Sequence, residues 1–491
     1  MRNNNSQAVH LKKQNLIKII EAFFSDDYEK NTRLIPYQMR PKGSDVPYRC
    51  CIYKERAILK DRAIAELGFS IEEHDETVLL SEYAKKALER EKPEKNPLTV
   101  LDAACKGCVP SRIYVTDLCQ GCVARPCQNV CKFGAISIVN GKSVIDGSKC
   151  KNCKQCMQVC PYNAIVKITV PCEDACPVGA IAKGENGRAK IDFDACISCG
   201  KCVSACPFGA VHEKSQLIDI LKHMKNGEKV IALIAPSIVG QFPGNIYQLK
   251  SAIKKIGFYD VYEVAQGADV TTKKEACEFQ ERMEKNESFM TTSCCAGYNQ
   301  LIKKHLNDIK PFVSNTLTPM AYIGQIVKQK EPNAKLVFIS PCVAKRVEVA
   351  EDPNVDYLMN FEELGALFVA CKIEILNCEE ERFAFESSKQ GRGFGVTTGV
   401  ASAVRDASKN NDSINLACIN GLNRDTIKQL KKWAKDGKCN EGNLVEVMCC
   451  EGGCVGGNAT INSVKIASKA INEFKTKSID INDIEICQES N

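Results

Sequence analysis

Near the start of the chain, apolar positions repeat with a helical period. Leu16, Ile19, Ile20, Phe23 and Phe24 fall on one face, and Ile52 to Leu67 shows a similar period. Both stripes predict helices with a buried side. The stretch between them, Arg33 to Pro47, is rich in proline and basic residues and predicts a surface loop ahead of the alternative, a docking patch. Further on, KVIALIAPS, KLVFISP and LVEVMCC are unbroken apolar runs of strand length. They alternate with helical stretches at Ser215 to Lys225, Tyr298 to Leu306, Phe361 to Cys371 and Asn423 to Lys435. That alternation predicts an α/β domain with buried, largely parallel sheets, in which ligands sit at the carboxyl ends of strands.

The charged segment EREKPEKNP, with Pro93 and Pro97, has the composition of a linker. It divides the chain into a mostly helical region with linker (1–97), a cysteine-dense region (98–213) and the α/β domain (214–491).

At 491 residues the chain has room for three or four domains, and 66 basic against 60 acidic residues are too balanced to predict nucleic acid or a membrane surface as a partner. NLIKIIEAFF is broken by Lys18 and Glu21, so it lacks the apolar core of a signal peptide, and no later run is long enough for a membrane span. A cytoplasmic location is expected. There, 30 cysteines cannot form a disulfide framework, so they point to metal. Cys50 and Cys51 have no partner spacing and are expected to be structural.

Between 98 and 213 the cysteines form an internal repeat whose segments end in CKFGAI, CPYNAI, CPVGAI and CPFGAV. Four half-motifs predict two α+β modules of the bacterial ferredoxin kind. In such modules Cys-x2-Cys-x2-Cys wraps one 4Fe-4S cubane, while the fourth Cys ligates the cluster of the other half. One cluster is therefore assigned to Cys119, Cys122, Cys127 and Cys160, and a second to Cys150, Cys153, Cys156 and Cys131. A third takes Cys196, Cys199, Cys202 and Cys176. Cys172 and Cys206 are left with two thiolates, and the orphan pair Cys105 and Cys108 completes a fourth set. The alternative is that this pair binds nothing, or a zinc, so the region holds three to four cubanes. The five histidines lie outside these motifs.

Three further pieces each follow an apolar run: FMTTSCCAGY with Cys294 and Cys295, FISPCVAKRVE with Cys342, and EVMCCEGGCVGG with Cys450 and Cys454. Their wide separation rules out a local zinc hairpin, and soft thiolates converging in the fold suit an iron-sulfur cluster. In this order the pieces resemble the signatures of the FeFe hydrogenase catalytic domain, from about Lys229 to Gly457.

The resemblance implies two α/β lobes around an H-cluster. Its 4Fe-4S part would be held by Cys295, Cys342, Cys450 and Cys454, with Cys454 bridging to a diiron subcluster that carries carbonyl, cyanide and a dithiolate bridge. It further implies that Cys294 is the free, proton-shuttling thiol, and that Glu275, Glu278, Arg282 and Ser314 belong to the proton relay. Lys345 would meet one cyanide, and Pro236 and Ser237 lie near the other. Departures from the family pattern are Ala296, Tyr298, Ser340, Met320, Cys449, Glu451 and the tail NAT after Gly457. They resemble a divergent, monomeric subgroup.

The expected activity is interconversion of protons, electrons and dihydrogen. Rival readings are a sensory hydrogenase-like protein, or an iron-sulfur assembly or scaffold protein lacking the diiron unit. QGRGFGVTTG lacks the context of a nucleotide fingerprint, so the electron partner is expected to be ferredoxin or another low-potential protein. Hydrogenase maturation proteins are the other expected partners.

Overall fold

The computed structural model describes residues 6–43, 47–409 and 411–484. Four helices form the N-terminal region: α1 (Gln7–Phe23), α2 (Tyr28–Met39), α3 (Ile52–Glu66) and α4 (Leu80–Glu89). Ser6 caps α1 through the Val9 amide. The apolar stripe of α1 is buried as its period requires, with Ile19 and Ile20 fully enclosed.

The loop expected over Arg33 to Pro47 is a correction in its first half, because α2 runs through Pro36. Burial of Thr32, Ile35 and Pro36 outweighs the missing proline N–H, and Pro36 lies in the last turn. Residues 44–46 of that stretch lie outside the described residues.

The charged segment before residue 98 is anchored despite its linker composition. Arg90 pairs with the buried Asp219, and Glu94 accepts from Ser70 Oγ (2.8 Å) and pairs with Lys214. One apolar core then runs from Leu16 and Ile20 on α1 to Leu217, Ile220 and Leu364 in the α/β region.

Strand β1 (Leu98–Val100) pairs antiparallel with β8 (Val211–Glu213), closing the cysteine-dense region on itself. Inside it, β2 (Arg112–Val115) pairs with β5 (Ile165–Ile168), β3 (Ile136–Val139) with β4 (Lys142–Ile145), and β6 (Ile181–Lys183) with β7 (Ala189–Ile191). These small antiparallel ribbons have short helices between them, the α+β form predicted from the repeat.

The remainder builds two parallel sheets. The first has the order β10-β9-β12-β13, from β9 (Val230–Ile234), β10 (Asp260–Glu263), β12 (Lys335–Ile339) and β13 (Tyr357–Met359). The second has the order β11-β15-β14, from β11 (Met290–Thr291), β14 (Leu416–Asn420) and β15 (Leu444–Met448). Every residue of β9 and β15 is buried, which is why these strands read as continuous apolar runs. Each sheet is the core of one α/β lobe, and the carboxyl ends of β9, β12, β11 and β15 lead to one shared cavity.

Candidate metal centre and proton path

Cys295, Cys342, Cys450 and Cys454 line that cavity together with Cys294, Pro236, Ser237 and Lys345. The strand ends deliver them. Pro236 follows β9, Cys294 and Cys295 follow β11, Cys342 follows β12, and Cys450 follows β15. Gly453 has a left-handed φ of 85°, and a Cβ there would lie 2.7 Å from the Thr397 amide nitrogen. Only glycine lets the Cys450–Cys454 loop close against that backbone. Met320, Phe338, Phe394 and Met448 supply apolar walls.

The donor set fits a metal cluster. Burial raises the proton affinity of the Cys295, Cys342 and Cys454 thiols, and the neighbouring thiols raise it further. Cys454 is pushed up to about 12. Such thiols become thiolates only against a strong local positive charge, which an iron-sulfur core supplies. Among the described residues, no three His, Cys, Asp or Glu side chains gather closely enough for a single ion. The sulfurs surround a space, as a multinuclear cluster requires.

Two polar groups in the wall extend the fit. The Ser237 hydroxyl is fully buried and has no hydrogen-bond partner among the described residues, so it is a donor left for a group in the cavity. Lys345 Nζ donates to Glu348 Oε1 at 2.6 Å, and Thr318 Oγ1 donates to the same oxygen at 2.6 Å. Although burial opposes the charge on Lys345, Glu348 and then Cys342 and Cys294 favour it, and its affinity for the proton is raised. A buried cation therefore faces the thiols. Glu348, which holds it, was not apparent from the sequence.

Glu275, Glu278 and Arg282 lie on the helix Ala265–Glu284. Ser314 Oγ donates to Glu278 Oε2 at 2.7 Å. Burial raises Glu278, but hydrogen bonds from Ser314, Asn315 and Arg282 hold its carboxyl below the ordinary range, so it stays ionised. Arg282 Nη2 donates to Glu278 Oε1 at 2.7 Å, and its terminal nitrogens also reach the Pro311 and Val313 carbonyls.

Glu275 is completely buried, and that burial pushes it up to about 7. Its Oε1 accepts from the Ser293 amide (3.3 Å), the Ser293 hydroxyl lies 3.4 Å from it and donates to the Thr316 carbonyl at 2.7 Å, and Oε2 has no hydrogen-bond partner among the described residues. Cys294 is raised by burial and then by Glu275. The structure thus brings together a proton-holding thiol, a half-neutral carboxyl, a serine and an ionised carboxylate. Ser293, Asn315 and Thr316 were missed by sequence reasoning, since a hydroxyl or amide beside a cysteine motif carries no spacing signal.

The ferredoxin-type cysteines also line enclosed spaces. One is bordered by Cys131, Cys150, Cys153 and Cys156, a second by Cys176, Cys196, Cys199 and Cys202, and a third by Cys105, Cys108, Cys172 and Cys206. The third position of the leading Cys-x2-Cys loop in each set has positive φ: Gly107 62°, Gly121 61°, Asn152 53° and Ser198 53°. In each half-motif tail the alanine amide donates to its cysteine sulfur, from Ala135, Ala164, Ala180 and Ala210 to Cys131, Cys160, Cys176 and Cys206 at 3.2–3.4 Å. The orphan pair Cys105 and Cys108 therefore has the same loop geometry as the complete motifs. In the first module Cys127 packs in one cluster with Cys131, Cys150, Cys156 and Cys160, and Cys119 and Cys122 flank the Gly121 turn that precedes it.

The family model described as iron only hydrogenase large subunit, C-terminal domain, matches residues 228–458, and the 4Fe-4S binding domain model matches residues 143–166 and 189–212. Iron hydrogenase 1 of Clostridium pasteurianum is 28% identical over 309 residues, which is 50% of this chain and 52% of that protein. The NADP-reducing hydrogenase subunit HndD of Solidesulfovibrio fructosivorans is 26% identical over 423 residues, 71% of this chain and 64% of that one. The periplasmic [Fe] hydrogenase large subunit of Nitratidesulfovibrio vulgaris is 28% identical over 373 residues, 64% of this chain and 85% of that one. The chain thus spans about half the length of the first and under two thirds of the second. Among the described residues no helix is long and apolar enough to cross a membrane.

Proposed function

Since the chain belongs to the iron-only (FeFe) hydrogenase family, we propose that it interconverts protons, electrons and dihydrogen. The observation that carries this reading is the single cavity in which Cys295, Cys342, Cys450 and Cys454 meet the free thiol Cys294, the unpartnered Ser237 hydroxyl and the buried Lys345 cation.

Cys295, Cys342, Cys450 and Cys454 would hold the cubane of an H-cluster, with Cys454 also reaching the diiron unit. When bound, that unit supplies the redox-active metal at which protons and electrons combine. Lys345 and Ser237 orient its anionic ligands from the cavity wall, and the apolar side chains keep bulk water out. Cys294 holds the proton nearest the cavity. Glu275, near neutrality in its proton affinity, can take and return it, and Ser314 and Glu278 continue the path outward. Arg282 keeps Glu278 placed and ionised.

Electrons would reach the catalytic cubane through the ferredoxin-like modules, up to four cubanes in all, from ferredoxin or another low-potential protein. Hydrogenase maturation proteins would install the diiron unit. A buried, proton-competent Glu275 beside Cys294 favours turnover over the sensory and scaffold readings, neither of which needs a relay.

Infrared spectroscopy after maturation tests this, since bound carbonyl and cyanide absorb where protein does not. The bands are expected in the wild type. Cys294→Ala should keep the bands and lose about 10²–10⁴-fold in hydrogen evolution, the contribution of a positioned acid or base. Cys295→Ala should lose both, because a missing thiolate undoes the cubane. Intact cubanes with no such bands would establish the scaffold reading instead.

A further inference from the structure

A cavity of about 380 Å³ lies between the N-terminal helices and the second ferredoxin-like module. Its size falls in the range of small-molecule sites. Leu11, Ile58, Leu59 and Phe208 give it apolar surfaces. Five cationic side chains, Arg40, Arg49, Lys54, Arg62 and Lys106, line it against one carboxylate, Glu55. Glu55 is already committed, to Arg40 and to the Arg49 amide. Arg49 spends two of its guanidinium N–H groups on the Ala104 and Phe208 carbonyls.

Arg62 is the telling residue. It is 3% exposed, its two terminal nitrogens make long contacts to the Ala8 and Gly209 carbonyls (3.3 and 3.4 Å), and its Nε has no partner among the described residues. Behind it, Glu66 is also buried, and burial pushes it up to about 8, while its charge favours that of Arg62 against the burial that lowers the proton affinity of Arg62. A buried guanidinium with a vacant donor, in a cationic cavity with apolar walls, is a site for an anion that carries its own apolar body.

We propose that this cavity binds an organic anion with an apolar, aromatic-sized body, whose charged group is held by Arg62, Lys54 and Lys106. Lys106, Pro207 and Phe208 line both this cavity and the one bordered by Cys105, Cys108, Cys172 and Cys206. The bound anion therefore lies one wall away from the fourth cubane. Negative charge at that distance stabilises the oxidised cluster, so occupancy makes its potential more negative. This second effect rests on the four-cubane reading, whereas binding itself does not.

The test uses the full, cluster-loaded chain and anilinonaphthalene sulfonate, an aromatic anion of suitable size, followed by fluorescence. One saturable site is expected. Lys54→Glu and Arg62→Met should each weaken binding by roughly tenfold or more, the value of a lost charge-assisted contact. Should Arg62→Met fail to fold, Lys54→Glu and Lys106→Glu, checked for unchanged iron content, decide the matter. Absence of saturable binding, or equal binding by the charge-reversed variants, overturns the site. Electron paramagnetic resonance during a redox titration then reads the cluster. Binding with a full iron complement but no shift in any cubane potential would overturn the coupling alone, and an iron content one cubane short would place the failure in the cluster reading.

Discussion

Asn458 Nδ2 donates a 2.5 Å hydrogen bond to the carbonyl of Cys199, while Ser204 Oγ donates to Asn458 Oδ1 at 2.6 Å. Asn458 follows the Cys450–Cys454 loop, and Cys199 belongs to the second ferredoxin-like module, so one side chain joins the two. Next to Cys199, Gly200 has a φ of 72°, and a Cβ there would meet Asn458 Nδ2 at 1.7 Å.

Gly200→Ala should therefore expel Asn458 and strain a left-handed residue at once, destabilising by about 1–3 kcal/mol, with Asn458→Ala at the lower end. Amide hydrogen exchange is the measurement. Faster exchange across Cys196 to Cys206 is expected in both variants, and an unchanged pattern in Gly200→Ala would show that the contact does not hold the module.

Cys105→Ser and Cys172→Ser should each remove the same cubane. Their sulfurs border one space with Cys108 and Cys206, and the Ala189 amide donates to Cys105 Sγ at 3.4 Å. Iron analysis of protein made without diiron maturation should fall from five cubanes to four in either single variant and stay at four in the double. A further fall in the double variant would mean that the two cysteines serve different clusters.

The grouping of cysteines around shared spaces is legible in the sequence because their spacing is a local property, written in the chain by the repeat itself. The buried strands β9, β12 and β15 are legible for a similar reason, since a strand enclosed on both faces shows as a solid apolar run. Short or two-faced strands were not: β11 has two residues, and β14 alternates buried and half-buried positions. Pro36 and the charged residues of EREKPEKNP misled because local composition does not report tertiary partners such as Asp219 or Lys214. The partners of the site, Glu348, Ser293 and Asn315, were hidden for the same reason, as their roles exist only once distant segments meet.

Glu275 predicts a pH dependence of stability. Its ordinary value of 4.5 applies to the unfolded chain, and burial raises it to about 7 in the fold. A group raised by folding contributes stability that is complete below the lower value and lost as the pH climbs through the higher one. Relative to Glu275→Gln, the wild type should therefore lose about 3 kcal/mol between roughly pH 4.5 and pH 7, since each tenfold gain in proton affinity on folding is worth about 1.4 kcal/mol. Thermal midpoints of the two proteins, compared at both ends of that window, check this. A constant difference would mean that Glu275 is ionised throughout, and the relay would then lack its neutral carrier.

Cys449 predicts an electronic link between two cubanes. Its thiol faces the Cys199 and Cys450 side chains, and its backbone N–H donates to Cys295 Sγ at 3.3 Å. Interaction with those two thiols, with burial, raises its proton affinity well above that of an ordinary thiol, so it stays protonated and can act as a donor. Hydrogen bonds to ligand sulfur favour the reduced, more negative cluster and so raise its potential. One S–H proton serves one acceptor at a time, and each cluster feels part of the effect. Cys449→Ala leaves the backbone donor in place and removes only the thiol. Redox titrations followed by electron paramagnetic resonance should then show the catalytic cubane and the Cys196–Cys199–Cys202–Cys176 cubane both moving to more negative potential, with iron content unchanged. Cys449→Ser, which restores a donor at the same place, should recover most of the shift in each. Movement of one cubane alone would mean that the thiol serves a single cluster, and the path between the ferredoxin-like module and the catalytic cavity would have to run through another pair of residues.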